Sequence, residues 1–288
     1  MTEWSSNMTD RSCLCYGPGM EVVETSAGPL AYDSRGEGGT VVMLPSGAHR
    51  RGDFDELRAL LPGRFRTIAI DWPGHGDSPA GSGEHSAMRF ADLAEEAVAA
   101  LAPEGAVVLG NSVGGFAAGR LAIRRPELVR GLVFVDGGGF DGRPPQARAF
   151  CALMARPGFL RRVYPAFSRL YMRSQTDADR RAREAALETV ANDAGRAIVS
   201  GLWRSFASPE HDLCAGAPGI AAPTLIVWGR RDPVIPLRVG RRAVELIPGA
   251  QLAVLDTGHV PHTGDPQGFA AALVPFLDQA FATAPAPA

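Results

Sequence analysis

One stretch constrains this chain more than any other. Residues 105–115 read Gly-Ala-Val-Val-Leu-Gly-Asn-Ser-Val-Gly-Gly, and a helical pattern follows at once. A short apolar run that ends in Gly-x-Ser-x-Gly is the layout of a nucleophile elbow, a strand turning sharply into a helix with serine at the apex. The apex backbone is strained, so its neighbours must be small. Gly110 and Gly114 leave room for two backbones to pass closely. The Ser112 hydroxyl is expected above the sheet edge, at the positive end of a helix beginning near Val113.

The rest of the chain is organised around that elbow. Residues 20–25 and 29–33 read as two strands joined by a turn at Ala27-Gly28. Residues 40–44 form a short β-branched run suited to a buried strand. A helix over 54–61 stops at Pro62-Gly63, and 66–70 is the next strand. Phe90, Leu93, Ala97 and Leu101 share one face of a helix over 90–101. After the elbow strand (106–109) and helix (113–124) comes a strand at 131–135. Strand, helix, strand, helix then return at 224–228, 239–246, 252–255 and 269–281. Such alternation predicts an α/β fold with a mostly parallel, doubly wound sheet and helices on both faces.

Between 141 and 219 the alternation stops. The segment is Arg-rich and helical in character, with Phe150, Met154, Phe159, Tyr164, Phe167, Tyr171 and Met172 among its apolar residues. It is too long for a plain loop and needs packing of its own. Its position after the sixth core strand predicts a helical lid over the sheet. The expected organisation is a flexible leader (1–19), a core (20–140 and 220–281), the lid (141–219) and a disordered Ala-Pro tail (282–288).

A serine hydroxyl is a poor nucleophile until a base takes its proton. The base is normally histidine, held in the right tautomer by a carboxylate. Asp232 follows the strand ending at Trp228, and His259 follows the strand ending at Leu255. In a parallel sheet, catalysis gathers at the carboxyl ends of the strands. Ser112, Asp232 and His259 fall there in chain order and are the expected triad. Asp136, after the strand at 131–135, is a rival acid; its expected role is to bond backbone in the Gly137-Gly138-Gly139 turn. His49 and His75 lie in loops placed to border a pocket, whereas His85 and His211 read as surface residues.

A tetrahedral intermediate needs two aimed N–H donors. Val113, next to the nucleophile, offers one. Ala48, in the Pro45-Ser46-Gly47-Ala48 loop after the third strand, is expected to offer the other. His49, Trp203, Arg204 and Val260 complete the expected substrate contacts. The aromatic and methionine content of the lid predicts an apolar roof and a bulky hydrophobic substrate.

Composition closes off other classes. A net charge of -2 argues against a nucleic-acid surface. No apolar run is long enough to span a bilayer, and no basic-then-apolar leader marks a signal peptide. A cytoplasmic protein is therefore expected, with no membrane or nucleic-acid partner. The four cysteines show no metal-ligand spacing, so they read as free thiols, and no metal or cofactor is expected. All basic residues other than histidine are arginine, a bias that carries no functional meaning here. The sequence does not speak to oligomeric state.

Two further motifs carry a family resemblance. Asp71-Trp72-Pro73-Gly74-His75-Gly76-Asp77-Ser78 resembles the D-x-P-G-x-G-x-S loop of lid-bearing α/β-hydrolases. Gly258-His259 with Asp265-Pro266 resembles their histidine loop, and the similarity runs over roughly residues 20–280. The elbow is closest to those of C–C bond hydrolases acting on meta-cleavage products. Ser46-Gly47 stands where the family often has His-Gly, and Val260 where those C–C hydrolases carry Trp. The resemblance implies a serine hydrolase of hydrophobic, ester-like molecules. A C–C hydrolase of diketones and a non-hydrolytic ligand-binding or cyclase member are the alternatives.

Overall fold

The computed structural model describes residues 21–142, 144–173 and 175–282. The expected leader, with Cys13 and Cys15, and residues 283–288 of the expected tail lie outside them. Ala282, assigned to the tail, is instead the last residue of a helix.

Among the described residues eight strands form one sheet: β1 (Glu21–Thr25), β2 (Gly28–Arg35), β3 (Gly39–Leu44), β4 (Phe65–Ile70), β5 (Ala106–Asn111), β6 (Val129–Val135), β7 (Thr224–Gly229) and β8 (Gln251–Leu255). Their order is β1-β2-β4-β3-β5-β6-β7-β8. The β1–β2 hairpin joins antiparallel, and β4, β3, β5, β6, β7 and β8 pair in parallel. β5, which leads into the elbow, lies between β3 and β6 and is buried along its whole length. Continuous apolar runs at 106–109 and 132–135 fit strands covered on both faces.

Among the described residues the α-helices are α1 (Asp55–Leu60), α2 (Ala87–Leu101), α3 (Val113–Arg124), α4 (Pro145–Met154), α5 (Pro157–Met172), α6 (Asp177–Ala191), α7 (Asp193–Phe206), α8 (Leu237–Leu246), α9 (Pro261–Gly264) and α10 (Pro266–Ala282). The period-two alternation of the strands sorts the core into two layers. Val42, Val108, Leu132, Phe134 and Trp228 pack with Phe90 and Leu93 of α2 and Phe116 of α3. Val41, Val107, Leu109 and Val133 point the other way, onto Leu57 of α1 and Phe269, Leu273 and Phe276 of α10.

Helices α2, α8 and α10 begin two or three residues before the sequence reading placed them, and α9 was not foreseen. α2 begins three residues before Phe90, because the Ser86 hydroxyl accepts the Arg89 N–H and caps it. α9, a single turn beyond His259, has too few residues for a periodic signal.

Helices α4 to α7 lie between β6 and β7. α4 and α5 carry proline in the first turn; Thr176 and Asn192 cap α6 and α7 by accepting backbone N–H groups. They share a small core of their own, with Met154, Leu160, Met172, Ala186 and Val190 buried in it. Met154 and Met172 thus pack the insertion itself. Among the described residues no helix is long and apolar enough to cross a membrane.

Candidate active site

The elbow has the geometry its residues require. Ser112 sits between β5 and α3 at φ 57° and ψ −114°, a backbone conformation that few non-glycine residues adopt. The strand beside it holds it there: Ser112 N–H donates to Val135 O at 2.9 Å, and Gly138 N–H reaches Ser112 O at 3.4 Å. The glycines are needed for space. A Cβ on Gly110 would lie 2.0 Å from the Gly114 carbonyl oxygen, and one on Gly114 would lie 2.2 Å from the oxygen of Leu44. The N–H of Val113, first residue of α3, has no partner within the helix.

Asp232 and His259 meet on the loops after β7 and β8. His259 Nδ1 lies 2.6 Å from Asp232 Oδ2, and both side chains are buried. The other oxygen of Asp232 accepts the N–H groups of Val234 and Ile235 at 2.7 and 3.1 Å, which fixes the carboxylate plane. With Nδ1 donating to Asp232, Nε2 is left as the basic nitrogen. His259 is held through its backbone as well. Its N–H donates to Tyr171 O at 2.9 Å, and its carbonyl accepts from Asn111 Nδ2 at 3.0 Å. Sequence reasoning missed both partners. Asn111, which precedes the nucleophile, was the one within reach of a motif argument.

Asp136 is buried beside this pair. Its two oxygens accept the Gly229 N–H at 3.0 and 3.2 Å, so it bonds the backbone of β7 rather than its own Gly137-Gly138-Gly139 turn. Burial, and after it the charge of Asp232, push the Asp136 carboxyl well above the usual carboxylate range. One donor atom from each of Asp136, Asp232 and His259 lies within 4.8 Å of the others, a set that has the residue types of a metal site. His259 Nδ1 is hydrogen-bonded to Asp232, so the geometry is that of an acid–base cluster.

The loop expected to complete the oxyanion hole is arranged differently. Ala48 has φ 69°, and its N–H donates to His75 Nε2 at 3.0 Å. His75 Nδ1 reaches the Pro73 carbonyl at 2.8 Å, so that nitrogen carries the proton and Nε2 accepts. Burial lowers the His75 pKa to about 4, which keeps the ring neutral for this role. Gly47, not Ala48, borders the cavity. The Asp71–Ser78 motif is the frame for this contact. Asp71 accepts the backbone N–H groups of Arg51 and Asp77, while the Ser78 hydroxyl donates to Asp71 O and accepts the Ala31 N–H.

Ser112 and His259 open on a cavity of about 410 Å³ under the inserted helices. That volume lies within the roughly 300–1,000 Å³ of small-molecule sites. Phe150, Phe167, Val199 and Trp203 form much of its apolar wall, with Tyr164 and Tyr171 beside them. Several of the expected contacts lie elsewhere. Arg204 is exposed on α7 and does not border the cavity; the helix turns it outward, one residue on from Trp203. Val260 is buried in the core of the insertion. His49 is buried behind Tyr171, held by Asp53 and the Tyr171 hydroxyl. Phe159 is exposed and does not border the cavity. His211, read as a surface residue, is buried against Phe116 and Phe206 and lines the cavity. No local pattern marks it, because its neighbours come from α3 and α7.

Comparison with known proteins gives concordant findings. The family model described as the alpha/beta hydrolase family matches residues 41–272. A pimeloyl-[acyl-carrier protein] methyl ester esterase from Chromobacterium violaceum is 30% identical over 258 residues, covering 86% of this chain and 98% of that protein. The enol-lactonase of Burkholderia xenovorans LB400 superposes with a TM-score of 0.78 at 21% identity, over 90% of this chain and 100% of that one. A hydrolase from Pseudomonas aeruginosa PA01 gives 0.79 at 24% identity, over 91% and 99%.

Proposed function

The chain belongs to the α/β-hydrolase family, and from that premise we propose that it is a serine hydrolase of esters with a bulky, hydrophobic acyl or alcohol part. One observation carries the reading: the buried Asp232–His259 pair, 2.6 Å apart, and the strained Ser112 open on the same largely apolar cavity. The esterase among the relatives supports ester chemistry.

In this mechanism Ser112 Oγ attacks the ester carbonyl carbon while His259 Nε2 takes its proton. Asp232 keeps the second proton on Nδ1 and stabilises the imidazolium that forms. The carbonyl oxygen becomes an oxyanion, received by the N–H of Val113 and by a donor from the Gly47 loop. Each such donor is worth on the order of 10²–10³ in rate. The C–O bond then breaks, and the alcohol leaves with the proton from His259. Water, deprotonated by the same nitrogen, attacks the acyl-enzyme and releases the acid. The apolar walls supply binding energy for a hydrophobic small molecule.

The test is covalent labelling with a fluorophosphonate, followed by peptide mapping. Labelling at Ser112, with Ser112→Ala folded but slower by about 10⁴-fold or more, is the expected result. A folded wild-type protein that resists the probe moves the reading to a ligand-binding role. Faster turnover of a vinylogous diketone than of any ester moves it to C–C bond hydrolysis.

A further inference from the structure

We propose that Tyr171, on the inserted helix α5, is a positioning residue for His259, held in place by a buried Asp53–His49 pair outside the cavity. The inference rests on His259 being the general base of the mechanism above.

The pair lies in the loop and turn after β3. His49 Nδ1 is 2.5 Å from Asp53 Oδ2, and both residues are buried. The carboxylate therefore places the His49 proton on Nδ1 and leaves Nε2 as an acceptor. Nε2 lies 2.9 Å from the Tyr171 hydroxyl, and that hydroxyl lies 2.9 Å from the hydroxyl of Tyr164. Burial pushes both phenols above their ordinary pKa, so both are neutral and keep their protons. The chain then has one direction. Tyr164 O–H donates to Tyr171, Tyr171 O–H donates to His49, and His49 N–H donates to Asp53.

A buried polar chain of this kind is often a fully satisfied part of a core. This one ends on the residue that grips His259. The Tyr171 carbonyl accepts the His259 N–H at 2.9 Å. Its ring stands edge-on to the imidazole, with centroids 6.0 Å apart at 88°. The histidine loop has no slack at this contact, since a Cβ on Gly258 would lie 2.0 Å from the same carbonyl oxygen. Where the end of α5 sits is where His259 sits, and the His49–Tyr171 bond ties that end of α5 to the core. The triad mechanism assigns no part to His49, Asp53 or Tyr171, and His49 does not border the cavity. The His49–Tyr171 bond is the link from this pair to the histidine loop, and Tyr171→Phe breaks that link while leaving the Gly47 loop untouched.

The experiment compares His49→Leu and Tyr171→Phe with wild type, in the full chain, on one aryl ester. Proton NMR follows the deshielded Nδ1–H signals of the two Asp–His pairs, with Asp232→Asn and His49→Leu assigning them. We expect kcat to fall roughly 10- to 100-fold, the scale of a small misplacement of a reacting group. KM should stay within about twofold, because binding contacts are left in place. The His259 signal should shift or broaden well below the melting temperature, which a purely structural role would not cause. Tyr171→Phe keeps the ring and the carbonyl, so it carries the test if His49→Leu does not fold. Folded variants with wild-type kcat and an unmoved His259 signal overturn the proposal, as does a loss confined to KM. Fluorophosphonate labelling of the wild-type protein separates the two ideas. If Ser112 is not labelled, the hydrolase mechanism has failed; if it is labelled and the variants match wild type, only the positioning role has.

Discussion

Asp136 and Asp232 each bring a carboxyl oxygen within 4.8 Å of the other, in a buried cluster with His259. Two full negative charges so close and so far from water repel strongly. The position relieves this by keeping the proton on Asp136, whose pKa is pushed well up by burial and by Asp232. Asp232 is then the single charge facing His259. Asp232→Asn should lower kcat/KM on the order of 10⁴-fold, by presenting the wrong histidine tautomer. Asp136→Asn replaces a neutral acid by a neutral amide of the same shape, and it should cost less than about tenfold. Both are measured on the same aryl ester. The opposite ranking would make Asp136 the triad acid.

Elbow glycines should be far less replaceable than exposed ones. Gly114→Ala drives a Cβ to 2.2 Å from Leu44 O and 2.8 Å from Pro45 O, and neither backbone atom can move aside. We expect a loss above about 3 kcal/mol in urea unfolding, or no folded protein. Gly63→Ala meets nothing within 4 Å and should change stability by less than about 0.5 kcal/mol. Equal effects would mean that the elbow can relax.

His262 gives an acid-sensitive contribution to stability. Its ring stacks on Phe54 at 4.4 Å and meets Phe269 edge-on. Burial lowers its pKa to about 3, against about 6.5 in an unfolded chain. The folded state refuses a proton that the unfolded state accepts. Stability is therefore lost as pH falls from about 6.5 towards 3 and is untouched above that window. Relative to His262→Phe, the wild type should weaken on acidification by up to a few kcal/mol. Urea midpoints taken across the window test this, and parallel curves for the two proteins would refute it.

The cavity predicts a size preference. Each methylene buried against Phe150, Phe167 and Trp203 should raise kcat/KM by up to about fourfold, the equivalent of roughly 0.8 kcal/mol, until the space is full. Trp203→Ala should move the optimum to a longer or bulkier ester. A series of aryl esters of rising chain length measures both. If acetate is best and Trp203→Ala leaves the order unchanged, the apolar wall does not select substrate.

Legibility in the sequence followed the range of the interactions. Strands such as β3 and β5 showed through because sheets covered on both faces demand uninterrupted apolar runs. The placement of Ser112, Asp232 and His259 at one edge of the sheet was legible because each follows the end of a strand. What stayed hidden depends on contacts between distant segments. The Ala48 N–H turns to His75 because of a loop in a different strand connection. Tyr171 looked like one more aromatic of the insertion, and its grip on His259 uses a backbone carbonyl that any residue possesses. Asn111 Nδ2 reaches His259 O across 148 positions. Periodicity and motifs report neighbours along a chain, and these partners are neighbours only in space.

That distance has a consequence for the order in which the site can come into being. The bonds that set His259 reach back 148 positions to Asn111, and the His49–Tyr171 bond behind it spans 122. Contacts of such separation form late, since they must first overcome the entropy of closing long loops. A nascent or refolding chain can hold Ser112 in its elbow while His259 is still unplaced. In a refolding experiment, sheet and helix signals should therefore recover before the hydroxyl of Ser112 becomes reactive. Reactivity towards an organophosphorus probe would then serve as a clock for the last docking step, the seating of β8 and its histidine loop against the inserted helices.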